Sequence, residues 1–240
     1  DNNVYGTKVL LDAMIDANVK TIIFSSTAAV YGDHEADAIT EEFEERPTNT
    51  YGETKLAMEK MMHWADIAHG VKYISLRYFN VAGAYSTGEI GESHNPETHL
   101  IPLILQVPLG KRNHISIFGD DYPTPDGTCI RDYIHIEDLI SAHIKAMTYL
   151  TTGAESNYFN LGSGEGYSVK EMIEAARDVT NHPIPAVTSP RRAGDPARLI
   201  ASSDKAKVEL KWNPKYTDVK DIISSAWKFH QKYKEGFKNE

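Results

Sequence analysis

Tyr51 and Lys55 have the residue types and the spacing to act together as a general base. They stand four residues apart in a segment whose apolar residues recur at helical spacing, so both side chains lie on one helix face. A nearby ammonium group lowers the pKa of a phenol, whose ordinary value of ~10 makes it a poor base at neutral pH. A hydroxyl from Thr27 could link this base to a substrate alcohol. The three residues therefore predict proton transfer to and from an alcohol.

The tyrosine–lysine spacing is weak evidence by itself. A chain with 13 tyrosines should contain that spacing about once by chance, and Tyr216 with Lys220 is a second example. The surrounding sequence separates the two pairs. Tyr51 follows an apolar strand that ends in hydroxyl residues, whereas Tyr216 follows Pro214 in a short connection. We therefore assign chemistry to Tyr51 and none to Tyr216.

Helices and short apolar strands alternate around these residues. The sequence predicts strands over 21–24, 73–79, 115–119 and 158–162, and helices over 4–17, 51–69, 99–105, 136–150, 169–179, 204–210 and 218–233. Ser168 and Glu171 predict a capping box at the start of one of these helices. The alternation is typical of a parallel, doubly wound α/β sheet. Ligands bind beyond the carboxyl ends of such strands, where Ser25, Thr27 and Asn80 lie.

Composition excludes several classes of protein. The chain of 240 residues is 41% hydrophobic and 25% charged, which predicts a globular fold. Its net charge of −9 argues against a general nucleic-acid surface. The sequence contains neither an apolar run of membrane length nor a signal-peptide pattern, so no membrane association is expected. A single cysteine, Cys129, fits a reducing compartment, and we expect a cytoplasmic protein.

The histidines do not follow a known metal-binding pattern. Ten histidines are present, but no HxH, HExxH or mixed cysteine–histidine motif occurs. His135 and His143 stand among apolar residues of a predicted helix and its approach. The sequence therefore predicts no metal site.

Two further motifs and one long loop carry a resemblance to a known family. They are Arg77-Tyr78-Phe79-Asn80, Arg131-Asp132-Tyr133-Ile134-His135 and the stretch 117–133. Together with Thr27, Tyr51 and Lys55, they make residues 1 to about 230 resemble the UDP-glucose 4-epimerase family, within the extended short-chain dehydrogenase/reductase superfamily. The resemblance implies interconversion of UDP-glucose and UDP-galactose in galactose metabolism, with NAD as cofactor, a UDP-hexose as substrate and a homodimer as the assembly.

The resemblance also implies roles for individual residues. Tyr51 would be the base for the sugar 4-hydroxyl, Thr27 would bind the sugar 4-oxygen, and Lys55 would tune Tyr51. The cofactor-binding residues would be Asn2, Ser25, Tyr51, Lys55 and Tyr78. The substrate-binding residues would be Thr27, Asn80, His99, Leu100, Phe118, Arg131, Arg192 and Asp195.

Four of the substrate-binding residues have a stated task by resemblance. Phe118 would stack on uracil, Arg131 and Arg192 would neutralise the diphosphate, and Asp195 would bind the uridine ribose hydroxyls. A single loop arginine or aspartate is more often a solvated residue, and a strand-end hydroxyl more often bonds to backbone. Three such residues in the loops of one chain favour the functional interpretation.

The resemblance implies a domain division as well. Residues 1–83 would form the second half of an NAD-binding Rossmann domain, with a returning segment near 130–162, and residues 84–240 would mainly form a smaller α/β domain that binds the UDP-sugar. The G-x-x-G-x-x-G turn that receives the NAD pyrophosphate in this superfamily does not occur. We therefore expect that the first half of the sheet lies outside these residues, and that the isolated chain is inactive and retains no NAD.

Four alternative functions remain open, and the first is another nucleotide-sugar 4-epimerase. A nucleotide-sugar 4,6-dehydratase or decarboxylase on the same fold would need an acid/base pair beside the hydroxyl, whereas Thr27 is followed by Ala28 and Ala29. A nucleotide-sensing regulator without activity should have lost Tyr51 or Lys55. An inactive fragment of an epimerase would retain every motif.

Overall fold

The computed structural model describes residues 1–34, 36–192 and 194–236. The chain separates into two compact units. The first unit contains residues 1–79, 140–164 and 201–213, and the second contains 80–139, 165–200 and the residues from 214 onward. The sequence analysis placed the first boundary at residue 83 and one return at 130–162. The structure has the boundary at Phe79 and Asn80, and it adds a second return, at 201–213.

Helices and strands alternate through the described chain. The helices are α1 (Val4–Asp16), α2 (Thr50–His69), α3 (Leu100–Leu105), α4 (Ile136–Thr151), α5 (Val169–Thr180), α6 (Asp204–Glu209) and α7 (Val219–Lys232), and a 3₁₀ turn spans Ala28–Val30. The strands are β1 (Thr21–Ser25), β2 (Lys72–Tyr78), β3 (Asn80–Ala82), β4 (Ile115–Phe118), β5 (Ile130–Arg131), β6 (Tyr133–His135), β7 (Asn157–Leu161), β8 (Tyr167–Ser168), β9 (Ala186–Ser189) and β10 (Arg198–Leu199). Every predicted helix and strand is confirmed, with bounds that shift by one or two residues.

The first unit is built on a parallel sheet with the strand order β1-β2-β7. These strands are short and rich in β-branched and aromatic residues, which is typical of strands covered on both faces. Ile74, Leu76, Phe159 and Leu161 are fully buried in β2 and β7. The helices α1 and α2 pack on this unit through a core cluster whose members include Leu11, Met14, Phe24, Met58 and Met62. The predicted α/β class with parallel strands is thus confirmed.

The second unit combines small sheets with three helices. In parallel pairs, β3 joins β6 and β4 joins β9, while β5 lies between the parallel β10 and the antiparallel β8. The core between α3, α5 and α7 includes Leu105, Ile115, Met172 and Ile222. The predicted capping box is present at the start of α5, because the Ser168 and Glu171 side chains each accept the backbone N–H of the other residue.

Within the described ranges, none of the helices has both the length and the apolar composition that crossing a bilayer requires.

Candidate active site

The first unit brings Tyr51 and Lys55 to the carboxyl end of β1. The side chain of Asn49 accepts the Gly52 N–H at 2.8 Å and thereby caps the start of α2. This start places Tyr51 in the first turn and Lys55 one turn later on the same helix face. Lys55 Nζ donates to the Ser25 carbonyl oxygen at 2.8 Å and lies 5.8 Å from the centre of the Tyr51 ring. The predicted proximity of the phenol and the ammonium group is confirmed.

Thr27 completes this group. It follows β1 and caps the 3₁₀ turn at Ala28–Val30, where its hydroxyl accepts the Ala29 N–H at 3.2 Å. Its side chain is also close enough to the Tyr51 phenol to act on the Tyr51 pKa. The Thr27 hydroxyl therefore lies beside Tyr51 and is held by the Ala29 N–H.

The electrostatic setting of Tyr51 differs from the sequence-based expectation. Burial raises the pKa of Tyr51, the nearby Tyr78 phenol raises it further, and the Thr27 hydroxyl lowers it. Burial lowers the pKa of Lys55, and the nearby Glu59 carboxylate raises it. The sequence analysis expected Lys55 to lower the Tyr51 pKa. In the described residues the net shift is upward, so the phenolate needs an additional positive charge beside the ring.

The other predicted cofactor-binding residues are arranged around the same strand ends. Ser25 ends β1, and its Oγ lies 2.9 Å from Nε2 of His143 on α4. Tyr78 ends β2 and is half-buried. Asn2 is exposed just before α1, and its neighbour Asn3 donates to Oγ1 of Thr54 at 2.9 Å. Ser25 and Tyr78 therefore lie with Tyr51, while Asn2 lies at the edge of α1.

A buried polar network supports this strand end, and the sequence analysis did not anticipate it. The Glu59 carboxylate on α2 accepts from Ser26 Oγ and from Nε of Arg77 at 3.0 Å, and it also forms an ion pair with the Arg77 Nη2 group. Arg77 also donates to the Tyr31 hydroxyl at 2.9 Å, and that hydroxyl donates to Asn160 at 2.7 Å. The available signals were a lone arginine in an apolar strand and a glutamate on the apolar face of α2. Since Ser26 precedes Thr27, the network ties α2 to the segment that carries Thr27.

The second unit contains a pocket of about 310 Å³. The predicted substrate-binding residues of this unit all line it, and they are Asn80, His99, Leu100, Phe118, Arg131, Arg192 and Asp195. These residues come from separate strands and loops, so their convergence could not be read from spacing. Cys129 and Tyr133 line the same pocket without having been predicted.

The polar groups of this pocket are arranged in pairs. Arg131 Nη2 lies 3.4 Å from Oδ1 of Asp195, and the Arg192 guanidinium lies 4.0 Å from the centre of the Phe118 ring. Asn80 Nδ2 donates to the Asp132 carbonyl oxygen at 2.9 Å. The Phe118 ring, which was expected to stack on uracil, thus has one face in contact with Arg192. Two guanidinium groups, one carboxylate and one ring fit an anionic ligand that also carries hydroxyls and a flat ring.

The comparisons with known proteins agree with this geometry. The model of the NAD dependent epimerase/dehydratase family matches residues 1–162. The chain belongs to this family. A UDP-glucose 4-epimerase of Halalkalibacterium halodurans is 55% identical over 240 residues, which is 100% of this chain and 72% of the relative.

Solved structures of family members superpose on the chain over nearly its whole length. One crystal structure of a UDP-glucose 4-epimerase has a TM-score of 0.97 and 60% identity, and the match covers 99% of this chain and 72% of that one. The UDP-glucose 4-epimerase of Bifidobacterium longum in complex with NAD+ and UDP has a TM-score of 0.92 and 40% identity, with 99% and 71% covered. The Rossmann-like fold predicted from the sequence is the fold of these epimerases.

Proposed function

We propose that the protein interconverts UDP-glucose and UDP-galactose by NAD-dependent oxidation and reduction at sugar carbon 4. The observation that carries this proposal is the convergence of Thr27, Tyr51 and Lys55 at the carboxyl end of β1. The arginine-lined pocket of the second unit supplies the chemistry that a nucleoside diphosphate requires. The high identity to UDP-glucose 4-epimerases supports the same substrate pair.

The residues of the first unit fit one end of NAD. The Lys55 ammonium is anchored on the Ser25 carbonyl, and its remaining N–H groups can donate to ribose hydroxyls. Tyr51 is half exposed beside it, so a nicotinamide ring has access to the phenol. The glycine-rich turn that receives a pyrophosphate does not occur in the 240 residues. These residues therefore account for the nicotinamide and its ribose.

Proton transfer follows from the positions of Thr27 and Tyr51. When bound, NAD+ takes up the hydride from carbon 4 and returns it. Tyr51, as phenolate, accepts the proton of the 4-hydroxyl, and Thr27 orients the sugar oxygen between the two side chains. The keto sugar then rotates so that its other face is presented, and Tyr51 returns the proton to the 4-oxygen. The upward pKa shift at Tyr51 makes positive charge at Lys55 and at the bound ring necessary.

Dehydration of the sugar is the main alternative reaction. It would need a carboxylate close to Thr27 as acid and base, but the next residues are Ala28 and Ala29, of which Ala28 is buried in the 3₁₀ turn.

The product of the complete gene that encodes these residues should be assayed with UDP-galactose. We expect UDP-glucose as the product. A 4-keto-6-deoxy sugar would indicate a dehydratase, and a lack of conversion would indicate an inactive protein.

Arg192 should contribute to binding of the diphosphate and not to binding of the nucleoside. We expect Arg192→Ala to weaken UDP binding by roughly 10- to 100-fold, because a charge-assisted hydrogen bond contributes ~1.5–3 kcal/mol. Uridine should lose much less. Calorimetric titration of both ligands measures the difference. The neighbouring Arg191 pairs with Asp121 at 2.6 Å, so Arg191→Ala is the matched control. An equal loss for uridine and UDP would contradict the assignment.

A homodimer through α1 and α2 is part of this proposal. The two helices pack together in the first unit, yet Tyr5 (65% exposed), Trp64 (65%) and Ile67 (63%) present large apolar side chains to solvent. Apolar groups of this size on adjacent helices are typical of an interface. A second copy of the same helix pair would cover them with matching chemistry.

Trp64→Glu should convert this dimer to monomers, because a charge would have to be buried in an apolar interface. Light scattering coupled to gel filtration measures the mass. Val208 is 76% exposed on α6, so Val208→Glu adds the same charge outside the proposed interface and should remain dimeric. A monomeric parent protein, or a dimeric Trp64→Glu variant, would reject the interface.

The cytoplasm is the compartment that we propose. Cys129 is a buried free thiol, and burial raises its pKa, so it is held in the unreactive protonated form. A chain whose only cysteine is a free thiol fits a reducing compartment.

A further inference from the structure

The loop before α3 gathers four side chains that carry metal-binding atoms. They are Glu92, His94, Glu97 and His99, and one ligand atom of each lies within 4.8 Å of all the others. His99 Nδ1 is 2.6 Å from Glu92 Oε1 and 3.2 Å from Glu97 Oε1. His94 Nδ1 is 3.3 Å and 4.0 Å from the same two oxygens. Each of the two imidazole nitrogens therefore lies within 4.0 Å of both carboxylate oxygens.

We propose that Glu92, His94, Glu97 and His99 bind one divalent transition-metal ion with the coordination preferences of Zn²⁺. Four ligands at the usual Zn²⁺ bond lengths of about 2.0–2.1 Å form a tetrahedron with edges of roughly 3.3 Å. The nitrogen–oxygen separations in the loop, 2.6–4.0 Å, lie on both sides of that value.

The loop holds one of the ligands in place before any metal arrives. The Glu97 side chain is only 7% exposed, and its Oε1 accepts the backbone N–H groups of Thr98 at 2.7 Å and His99 at 2.8 Å. Hydrogen bonds of this kind orient a ligating carboxylate and are typical partners of metal ligands. The imidazoles of His94 and His99 are stacked with centres 5.1 Å apart, and each is about half exposed. A metal ion can therefore reach the site from solvent.

The charges of the loop favour a cation. The Glu92 and Glu97 oxygens belong to a group of four ligand atoms that lie within 4.8 Å of one another. Two negative charges at that separation repel each other, and a divalent ion between them would offset the repulsion. A metal ion would bind the imidazoles of His94 and His99 in their neutral form.

The donor set selects the type of metal. Two imidazole nitrogens with two carboxylate oxygens suit Zn²⁺ and its neighbours Ni²⁺ and Cu²⁺, whereas Mg²⁺ and Ca²⁺ prefer ligand sets made of oxygen alone. The residues are spaced as E-x-H-x-x-E-x-H in a loop. This spacing is not one of the standard metal motifs, which explains why the sequence predicts no metal site. The tertiary arrangement of the loop provides the evidence.

A metal in this loop would also act on the pocket of the second unit. His99 also lines that pocket, and α3 begins at the next residue. The metal would fix the His99 ring and the start of α3. This role goes beyond the proposed epimerase activity, because it concerns the loop and does not require UDP-sugar or NAD.

The experiment is a titration of the metal-free, tag-free protein with ZnCl2 against a chromophoric chelator near neutral pH. We expect one Zn²⁺ per chain. His94→Ala and Glu92→Gln should each weaken binding at least about 100-fold, since even the loss of an outer partner of a ligand costs roughly 10–100-fold. His63→Ala removes another exposed histidine, on α2, and should leave binding unchanged. Glu97 is not substituted in this experiment, because its carboxylate also holds the loop backbone.

Co²⁺ provides a second measurement. In the tetrahedral site it should give the intense visible absorption of four-coordinate Co²⁺, and His94→Ala should abolish that absorption while the circular dichroism spectrum stays unchanged. No Zn²⁺ binding by the parent protein, equal binding by the His94→Ala and His63→Ala variants, or the weak spectrum of octahedral Co²⁺ would overturn the proposal. Because neither substrate nor NAD is present, these outcomes are independent of the assay for epimerase activity.

Discussion

Tyr51→Phe should lower the turnover of UDP-galactose by about 10²–10⁴-fold, which is the usual effect of losing a general acid or base. The phenyl ring fills the same space, so the affinity for UDP should change little. Only the group that takes up and returns the proton at the 4-oxygen is lost. The measurement is the initial rate of conversion at saturating substrate, together with a UDP titration of both proteins.

The matched control for this change is Tyr85→Phe, which removes the hydroxyl of another exposed tyrosine outside the first unit. It should keep the parental rate. A Tyr51→Phe variant with near-parental turnover would remove Tyr51 from the mechanism. An equal loss of UDP affinity and of turnover would instead indicate a role in ground-state binding.

The pH dependence of turnover should report the charge beside Tyr51. The phenolate of Tyr51 is lost as the pH falls through the Tyr51 pKa. Burial raises that pKa, so the loss begins at a higher pH. Removing the Lys55 ammonium takes away a stabilising charge 5.8 Å from the ring centre. We therefore expect Lys55→Met to move the acidic limb of the pH–rate profile to higher pH. An unchanged limb would show that Lys55 does not tune the base.

The parts of the fold that sequence analysis could predict are those set by local patterns. The long helices α2 and α5 have clear caps at Asn49 and Ser168, and their apolar faces repeat over several turns. The two-residue strands β5, β8 and β10 contain too few residues to show any period, and only their partners make them strands. The second return of the chain, at 201–213, depends in the same way on distant contacts.

The candidate site was predictable to different degrees in the two units. Thr27 and Tyr51 stand directly at a strand end and a helix start, so periodicity and the geometry of parallel sheets were enough to place them together. The pocket residues lie on short strands, at the start of α3 and in loops, and they were predicted from the resemblance to a family, not from any spacing. Glu59 was missed because an acidic residue on a helix is ordinarily solvated, and its partner Arg77 is 18 positions away in sequence.

Disrupting the Arg77–Glu59 pair should strongly lower the free energy of unfolding. Arg77 is 1% exposed, and it bonds Glu59, Glu45 and the Tyr31 hydroxyl at once. Arg77→Met leaves the buried Glu59 carboxylate uncompensated and should destabilise the protein by ~3–5 kcal/mol. Glu59→Gln should cost less, because Arg77 keeps its ion pair with Glu45. The free energy of unfolding in denaturant measures this loss.

The double variant Glu59→Leu with Arg77→Met tests whether stability is lost through an unpaired charge or through lost contacts. With both charges gone, no buried charge lacks a partner, so the double variant should be more stable than either single one. Arg46→Ala breaks an exposed ion pair with Glu44 and should leave stability almost unchanged. If the double variant lost the sum of the two single losses, the network would act through its contacts with Ser26 and Tyr31 and not through the Arg77–Glu59 charge pair. In that case the hydrogen bonds that hold the Thr27 segment would be the stabilising element.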